Sequence, residues 1–236
     1  MSIVRWYKQV GSSLKSGICS VLPVIHCQHN CPLCYREVMI RLALIRHGHT
    51  EWNRAGKIQG RRNIPLEPQT IKALADLRLP DEWQQAALVS SPLKRAVHSA
   101  KLITGRTPLT EPALIEMDYG DWEGQRGIDL IADPDSSFRH LPDWGWDYTP
   151  PNGESPKQVW SRVAPWVESL REDTVAVCHI GVMRTLLAVA YDWAYKGEPP
   201  FSIKRNSLYC LEVTDNKITA ADPLRVRLVD DAGSHG

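Results

Sequence analysis

Ile40-Arg41-Leu42-Ala43-Leu44-Ile45-Arg46-His47-Gly48-His49-Thr50-Glu51-Trp52-Asn53 is where this chain switches from apolar to polar, and the reading of that switch decides the fold. Ile40, Leu42, Ala43, Leu44 and Ile45 form the near-continuous apolar run of a strand covered on both faces, the pattern of a parallel sheet rather than a half-exposed one. Open α/β sheets bind ligands beyond the carboxyl ends of such strands, so Arg46-His47-Gly48 stands where a ligand is expected. An arginine fork matches a phosphate dianion, a histidine can attack phosphorus, and a glycine lets the backbone come close. The tripeptide alone is equally an ordinary strand-to-loop junction. Distant residues have to join it.

Working outward, regular apolar patterning begins at Met39, after an irregular stretch containing Gly11, Ser12, Ser13, Gly17 and Pro23. The expected organisation is an irregular cysteine-bearing extension over 1–38, one domain over 39–230 and a polar tail over 231–236. A strand at 40–46 leads to a helix near 68–78, then to a short strand from Ala86 to Val89. Pro92 is placed in the first turn of the next helix, which carries Leu93, Ala96, Val97, Ala100 and Leu102-Ile103 to a stop at Gly105. Residues 118–153 hold too many glycines and prolines for one long element and read as an excursion over the site. Ser155-Pro156-Lys157-Gln158 is an N-cap, a proline at the first helical position and a capping-box glutamine. Val159, Val163, Trp166 and Leu170 are its buried stripe, and Pro165 is expected to kink it. Thr174–Cys178 is a second apolar strand ended by His179, followed by a helix from Met183 to Ala190. A last strand, Ser207 to Val213, precedes a polar tail. Alternation of strand and helix predicts an α/β three-layer sandwich, a mostly parallel central sheet with helices on both faces.

Composition narrows the function classes. Lys plus Arg is 28 against 27 for Asp plus Glu, a net charge of +1, which leaves no electrostatic footprint for nucleic acid or an acidic membrane. The apolar stretches fall short of the ~20 residues that span a bilayer, and the first residues lack the apolar core of a secretory signal. A cytoplasmic protein is expected, with a small phosphorylated substrate as its partner and a homodimer as its one admitted self-association. Cys178 and Cys210 read as buried small hydrophobes in a reducing compartment.

Two predicted strands end in histidine, His47 and His179, and arginines stand at Arg46 and Arg95, all assigned to one carboxyl edge. Here a resemblance becomes specific. Leu44 to Asn53 with Ile58-Gln59-Gly60-Arg61 resembles the opening of the histidine phosphatase superfamily, also called phosphoglycerate-mutase-like. Ser90-Ser91-Pro92-Leu93-Lys94-Arg95-Ala96 resembles its second-arginine motif, Glu116 to Gly124 its acid motif, Gly153-Glu154-Ser155 its helix opening, and His179 to Arg184 its second-histidine motif. Five blocks in the family's order span residues 40 to 213.

The resemblance implies a role for each matching position. His47 is the nucleophile that becomes a phosphohistidine, kept neutral beside the cations Arg46 and Arg95. Arg46 and Arg95 bind and stabilise the transferring phosphoryl group, and His179 and Asn53 add hydrogen bonds to it. Glu116 protonates the leaving oxygen and then activates water; Asp118, Asp121 and Glu123 compete for this part, and the head of the matched motif selects Glu116. No metal or cofactor is implied. The expected activity is a metal-independent phosphomonoester hydrolase. Alternatives are a phosphoglycerate mutase, disfavoured because mutases of the superfamily usually carry longer excursions, and an α-ribazole phosphatase specifically. The alternative that is not an enzyme is a phosphate-binding interaction module. Trp122, Trp144, Trp146 and Tyr148 read either as a substrate wall or as packing.

Two departures from the family pattern stand out. Cys178 and Ile180 flank His179 where a small hydroxyl residue and a glycine are usual, which puts the backbone at that corner in question, because a β-branched residue resists positive φ. His49 replaces a commoner acidic residue and adds a titratable group beside the nucleophile. In the extension, Cys27, Cys31 and Cys34 have a spacing that resembles the iron–sulfur signature of radical S-adenosylmethionine enzymes, without the large barrel that chemistry needs. A zinc site using Cys19 or a histidine with them is the other metal reading. The reading preferred is a leader without a metal, either disordered or not part of the natural product.

Overall fold

The computed structural model describes residues 39–215 and 217–230; the leader with Cys19, Cys27, Cys31 and Cys34, and the 231–236 tail, lie outside the described residues. The strands are β1 (Ile40–Arg46), β2 (Leu77–Arg78), β3 (Ala87–Ser90), β4 (Leu109–Thr110), β5 (Thr174–Cys178), β6 (Ser207–Thr214), β7 (Lys217–Arg227) and β8 (Val229–Asp230). The helices are α1 (Glu51–Arg54), α2 (Pro68–Ala75), α3 (Lys94–Thr104), α4 (Gly127–Ala132), α5 (Pro156–Glu168) and α6 (Ile180–Ala190).

Six strands form one sheet in the order β4-β3-β5-β1-β6-β7, and β2 pairs separately with β8. β4, β3, β5 and β1 run parallel, whereas β6 is antiparallel to β1 and β7 to β6. Leu42, Ala43, Leu44 and Ile45 are all buried because β1 lies inside the sheet with both faces covered. Successive side chains point to opposite faces. Ala43 and Ile45 join Val175 and Val177 in a core with Leu74 of α2 and Ala96, Ala100 and Ile103 of α3. Leu42, Leu44 and Ala176 face the other way, where α6 lies against β1 with α5 beside it. This is the expected mostly parallel three-layer α/β architecture.

Register builds the site. Arg46 is opposite Cys178, so His47 and His179 leave the sheet side by side, and Ser90 opposite Val177 brings Ser91 to the same edge. The backbone ties these exits together: His47 N–H donates to the Cys178 carbonyl and Ser91 N–H to that of Val177, each at 3.0 Å.

Local expectations differ from the structure in four places. α2 stops at Ala75, because Leu77 and Arg78 are taken into β2. Pro92 precedes α3 rather than entering its first turn: Leu93 is extended (φ −68°, ψ 133°), so helical geometry starts only at Lys94. The helix placed at Met183 begins at Ile180, directly after the strand exit. The residues after β6 form the eleven-residue β7. They read as polar because β7 is an edge strand, with Ile218 its one buried side chain and Asp222-Pro223, Arg225 and Arg227 along it. Other readings hold. Gly105 ends α3 in the left-handed region at φ 65°, and Ser155, Pro156 and Gln158 open α5 with a complete capping box. α5 continues through Pro165 as one element to Glu168, the proline falling in its last turn. Cys178 and Cys210 are buried free thiols. No helix among the described residues is long and apolar enough to cross a membrane.

Candidate active site

His47 is only 3% exposed. Its Nδ1 lies 2.7 Å from the Gly48 carbonyl oxygen, which can only accept, so the ring proton resides on Nδ1 and the lone pair on Nε2. The supporting loop is fixed in turn: Gly48 N–H donates to Ser99 Oγ at 3.0 Å, and Ser99 donates to the Arg95 carbonyl at 2.7 Å. Gly48 cannot be replaced cheaply, since a Cβ there would sit 2.4 Å from Thr70 and 2.8 Å from Leu74 on α2. Burial, then Arg95, Arg205 and Arg46, hold the His47 imidazole well below its ordinary pKa, outweighing the Gly48 bond. It is a neutral base with a free nitrogen.

The His179 ring centroid is 5.0 Å from that of His47, and its Nε2 is 2.7 Å from Ser91 Oγ. Burial, then Arg95 and His47, also depress its pKa well below the usual value. Arg95 is fully buried and donates from Nη1 to the Arg62 carbonyl at 2.7 Å and from Nη2 to that of Gly60 at 2.6 Å. It therefore pins the loop that carries Gln59. Burial draws its pKa to about 10, so it stays cationic at neutral pH. The side-chain nitrogens Arg46 Nε, Arg95 Nε, Gln59 Nε2 and His179 Nδ1 are buried without a protein partner. Orphan polar atoms are expensive unless a ligand meets them.

Glu116 is 1% exposed. Its Oε1 accepts from Met117 N–H at 2.8 Å and from Gly181 N–H at 3.0 Å. Burial raises its pKa, against the pull of these bonds and of Arg95. The retained glycine is explained here: a Cβ on Gly181 would lie 2.4 Å from Glu116 Oε1 and 2.9 Å from Met117 Cβ. Ile180 brings no backbone conflict, because His179 before it is extended at φ −129° and Ile180 simply opens α6 and faces the cleft. The doubtful corner resolves into a tolerated side chain. The Gly153-Glu154-Ser155 block is structural support. Glu154 takes a two-pronged pairing from Arg162, meets Arg61 at 3.3 Å and accepts from Asp118 N–H at 3.3 Å, holding the acid loop.

Asn53 is set by the capping box of α1, in which it pairs with Thr50. Its Oδ1 accepts from Thr50 N–H and from Arg205 Nη2, at 3.2 and 2.9 Å, and its Nδ2 donates to Gln59 Oε1 at 3.1 Å. Thr50 Oγ1 donates to the same Gln59 oxygen at 2.9 Å.

A cleft of about 280 Å³ opens over these groups. Arg46, His47, Asn53 and Glu116 line it, while Arg95 and His179 lie buried behind them. Residues not singled out from the sequence also reach it, among them Gln59, Tyr119 and Arg184. Arg184 had a usable signal: it lies one helical turn from Ile180, on the same side of α6. Phe138, Leu141 and Trp144 from the excursion form an apolar wall. Of the four aromatics considered, only Trp144 lines the cleft. Trp122 packs against Phe138, Trp144 and Tyr148, and Trp146 against Tyr195. His49 is partly buried, and burial and then Arg205 lower its pKa.

The comparisons agree with this geometry. Residues 42–222 match the family described as Histidine phosphatase superfamily (branch 1). The chain is 32% identical over 161 residues to an adenosylcobalamin/alpha-ribazole phosphatase of Salmonella typhimurium, covering 63% of this chain and 78% of that one. A 2,3-bisphosphoglycerate-dependent phosphoglycerate mutase of Azorhizobium caulinodans is 29% identical over 164 residues, covering 63% and 80%. Among solved structures, a phosphoglycerate mutase from Thermus thermophilus aligns with a TM-score of 0.58 at 28% identity, covering 80% of this chain and 99% of that one. The chain belongs to the histidine phosphatase superfamily, branch 1.

Proposed function

We propose that this protein is a metal-independent phosphomonoester hydrolase that acts through a phosphohistidine on a small phosphorylated metabolite. The observation that carries the reading is the fixed tautomer of His47, with Nδ1 committed to the Gly48 carbonyl and Nε2 free at the cleft. In the first half-reaction Nε2 attacks phosphorus in line, the P–N bond forms, and the ester P–O bond breaks as Glu116 gives its proton to the leaving oxygen. In the second, Glu116 takes a proton from water, water oxygen bonds phosphorus, and the P–N bond breaks to release inorganic phosphate. Burial shifts the Glu116 pKa upward, the direction that favours a proton donor. Arg46 and Arg95 stabilise the phosphoryl oxygens, the charge-neutralising part that a metal plays elsewhere. Ser91 Oγ accepts from Leu93 N–H and has its proton to give to His179 Nε2, leaving His179 Nδ1–H for a phosphoryl oxygen.

The relatives' names span phosphatases and mutases. The hydrolase reading is favoured by the excursion over 118–153, which adds short turns and the six-residue α4 rather than a closed cover. Its wall of Phe138, Leu141 and Trp144 suits a leaving group with an apolar or planar part, and α-ribazole phosphate is the narrower substrate candidate. The test has two arms. Rapid quenching with a radiolabelled phosphomonoester is expected to leave acid-labile, base-stable label on wild type and none on His47→Ala, with inorganic phosphate as product and no loss of rate in a chelator. Full turnover by His47→Ala would sink the reading. Stoichiometric transfer of the phosphoryl group to a second metabolite, without phosphate release, would establish the mutase instead. A panel of phosphomonoesters that includes α-ribazole phosphate ranks the substrates.

A further inference from the structure

Arg205 is a partly buried cation whose place is not explained by an ion pair. It stands in the loop before β6, and no ion pair to it is present among the described residues. Its two documented partners are neutral oxygens: Nη1 donates to the His47 carbonyl at 3.0 Å and Nη2 to Asn53 Oδ1 at 2.9 Å. Burial, then Arg46 and Arg54, pull its pKa down to about 9 against the opposing pull of Glu67. Several features aim it. β1 and β6 are antiparallel with Ile45 opposite Leu208, and continuing that register brings Arg205 across from the His47-Gly48 corner. Asn206 turns the chain in the left-handed region at φ 54°. Tyr209 Oη anchors the loop by accepting from Lys204 N–H at 2.6 Å and donating to the Ser202 carbonyl at 2.8 Å.

The contacts have a directional consequence. Arginine can only donate, so Nη2 requires the oxygen of Asn53 on its side. The Asn53 amide nitrogen then points to Gln59 and can donate only to the Gln59 oxygen. That bond, with Thr50 Oγ1 on the same oxygen, leaves Gln59 Nε2 as the end without a protein partner. Arg205 Nη2 and Thr50 N–H, both on Asn53 Oδ1, thus together fix two amide orientations at the cleft. Arg205 also grips the nucleophile's own carbonyl, on a residue whose N–H is already held by Cys178.

We propose that Arg205 is a positioning residue of the phosphoryl-transfer site, holding the His47 backbone carbonyl and, with the α1 capping box, the atoms of Asn53 and Gln59 that face the substrate. The inference rests on the phosphohistidine reading above. It also makes Arg205 one of the groups that keep His47 neutral. The charged and titratable groups around that ring are Arg46 beside it, Arg95 from α3, His179 at the start of α6, and Arg205.

The test uses the full chain with Arg205→Met and Arg205→Lys, each checked for folding by circular dichroism and thermal melting. Arg205→Met is expected to lower kcat with an aryl phosphate about 10- to 100-fold, the range for losing charge-assisted hydrogen bonds, and to weaken orthovanadate inhibition. Nuclear magnetic resonance of labelled histidine should show the pH at which His47 protonates moving upward in Arg205→Met and staying near wild type in Arg205→Lys. The lysine variant keeps the charge but loses the fork, so its kcat should still fall. A folded Arg205→Met with wild-type kcat and an unmoved His47 titration overturns the proposal. So does equal loss of activity in both variants with the titration unmoved, which marks a merely structural residue. If Arg205→Met does not fold, the neutral Arg205→Gln takes its place, with the same expected and overturning results. A wild type with neither turnover nor label on His47 sinks the phosphohistidine reading, and this inference with it.

Discussion

His47 carries two constraints that act on one proton. The Gly48 carbonyl fixes that proton on Nδ1, and three arginines with burial exclude a second proton from the ring. Glu116 is the opposite case, a carboxyl whose pKa burial raises. Two titratable groups pushed in opposite directions are what the proposed mechanism asks of a nucleophile and an acid in one cleft. Glu116→Gln tests the acid. With an alkyl phosphomonoester the single-turnover rate of phosphohistidine formation is expected to fall ~10²–10⁴-fold, and with p-nitrophenyl phosphate, whose leaving oxygen needs no proton, to fall much less. Equal losses on both substrates would assign Glu116 to holding Gly181 instead of moving a proton.

Elements deliver these side chains, and the delivery points can be weakened separately from the chemistry. Gly181 in the first turn of α6 lets helix and Glu116 approach. Gly181→Ala forces a Cβ to within 2.4 Å of the carboxylate oxygen, and overpacking of this kind costs about 1–3 kcal/mol. Both the melting temperature and kcat should drop, because the displaced group is Glu116 itself. Ser155 at the start of α5 is the control. Its hydroxyl accepts from Gln158 N–H at 3.3 Å while the Gln158 side chain accepts from Ser155 N–H at 2.7 Å. Ser155→Ala should cost ~1 kcal/mol in urea unfolding with kcat within error of wild type, since α5 braces α6 but sends no side chain into the cleft. Loss of activity in a folded Ser155→Ala would show that the site depends on α5 more directly than its contacts indicate.

At the scale of the molecule, two buried histidines link the active site to stability. His47 and His179 both have folded pKa values well below 6.5. Well above pH 6.5 they are neutral in both states and add no pH dependence. As pH falls below the ordinary histidine value the unfolded chain takes up protons that the folded one refuses, so stability declines by up to ~1.4 kcal/mol per pH unit for each group. Urea unfolding between about pH 6.5 and 5 should show this slope, and His179→Asn should make it shallower whatever its absolute stability; an unchanged slope would mean His179 is protonated in the fold. The sequence by itself determined the strand that ends in Arg46, the capping box of α5, the α/β class and the convergence of Arg46, His47, Asn53, Arg95, Glu116 and His179. These follow from local patterning, from parallel strands sharing a carboxyl edge, and from motif order. Tertiary structure alone decided the rest. β7 was hidden because an edge strand needs no apolar alternation on its open side. Gly181 rather than residue 180 proved to be the tight corner, because the conflict is with Glu116, distant in sequence. Arg205 gave no local signal at all: its partners are a backbone carbonyl and an amide more than 150 residues away, and only the antiparallel register of β1 with β6 brings a donor from one end of the domain onto His47 at the other.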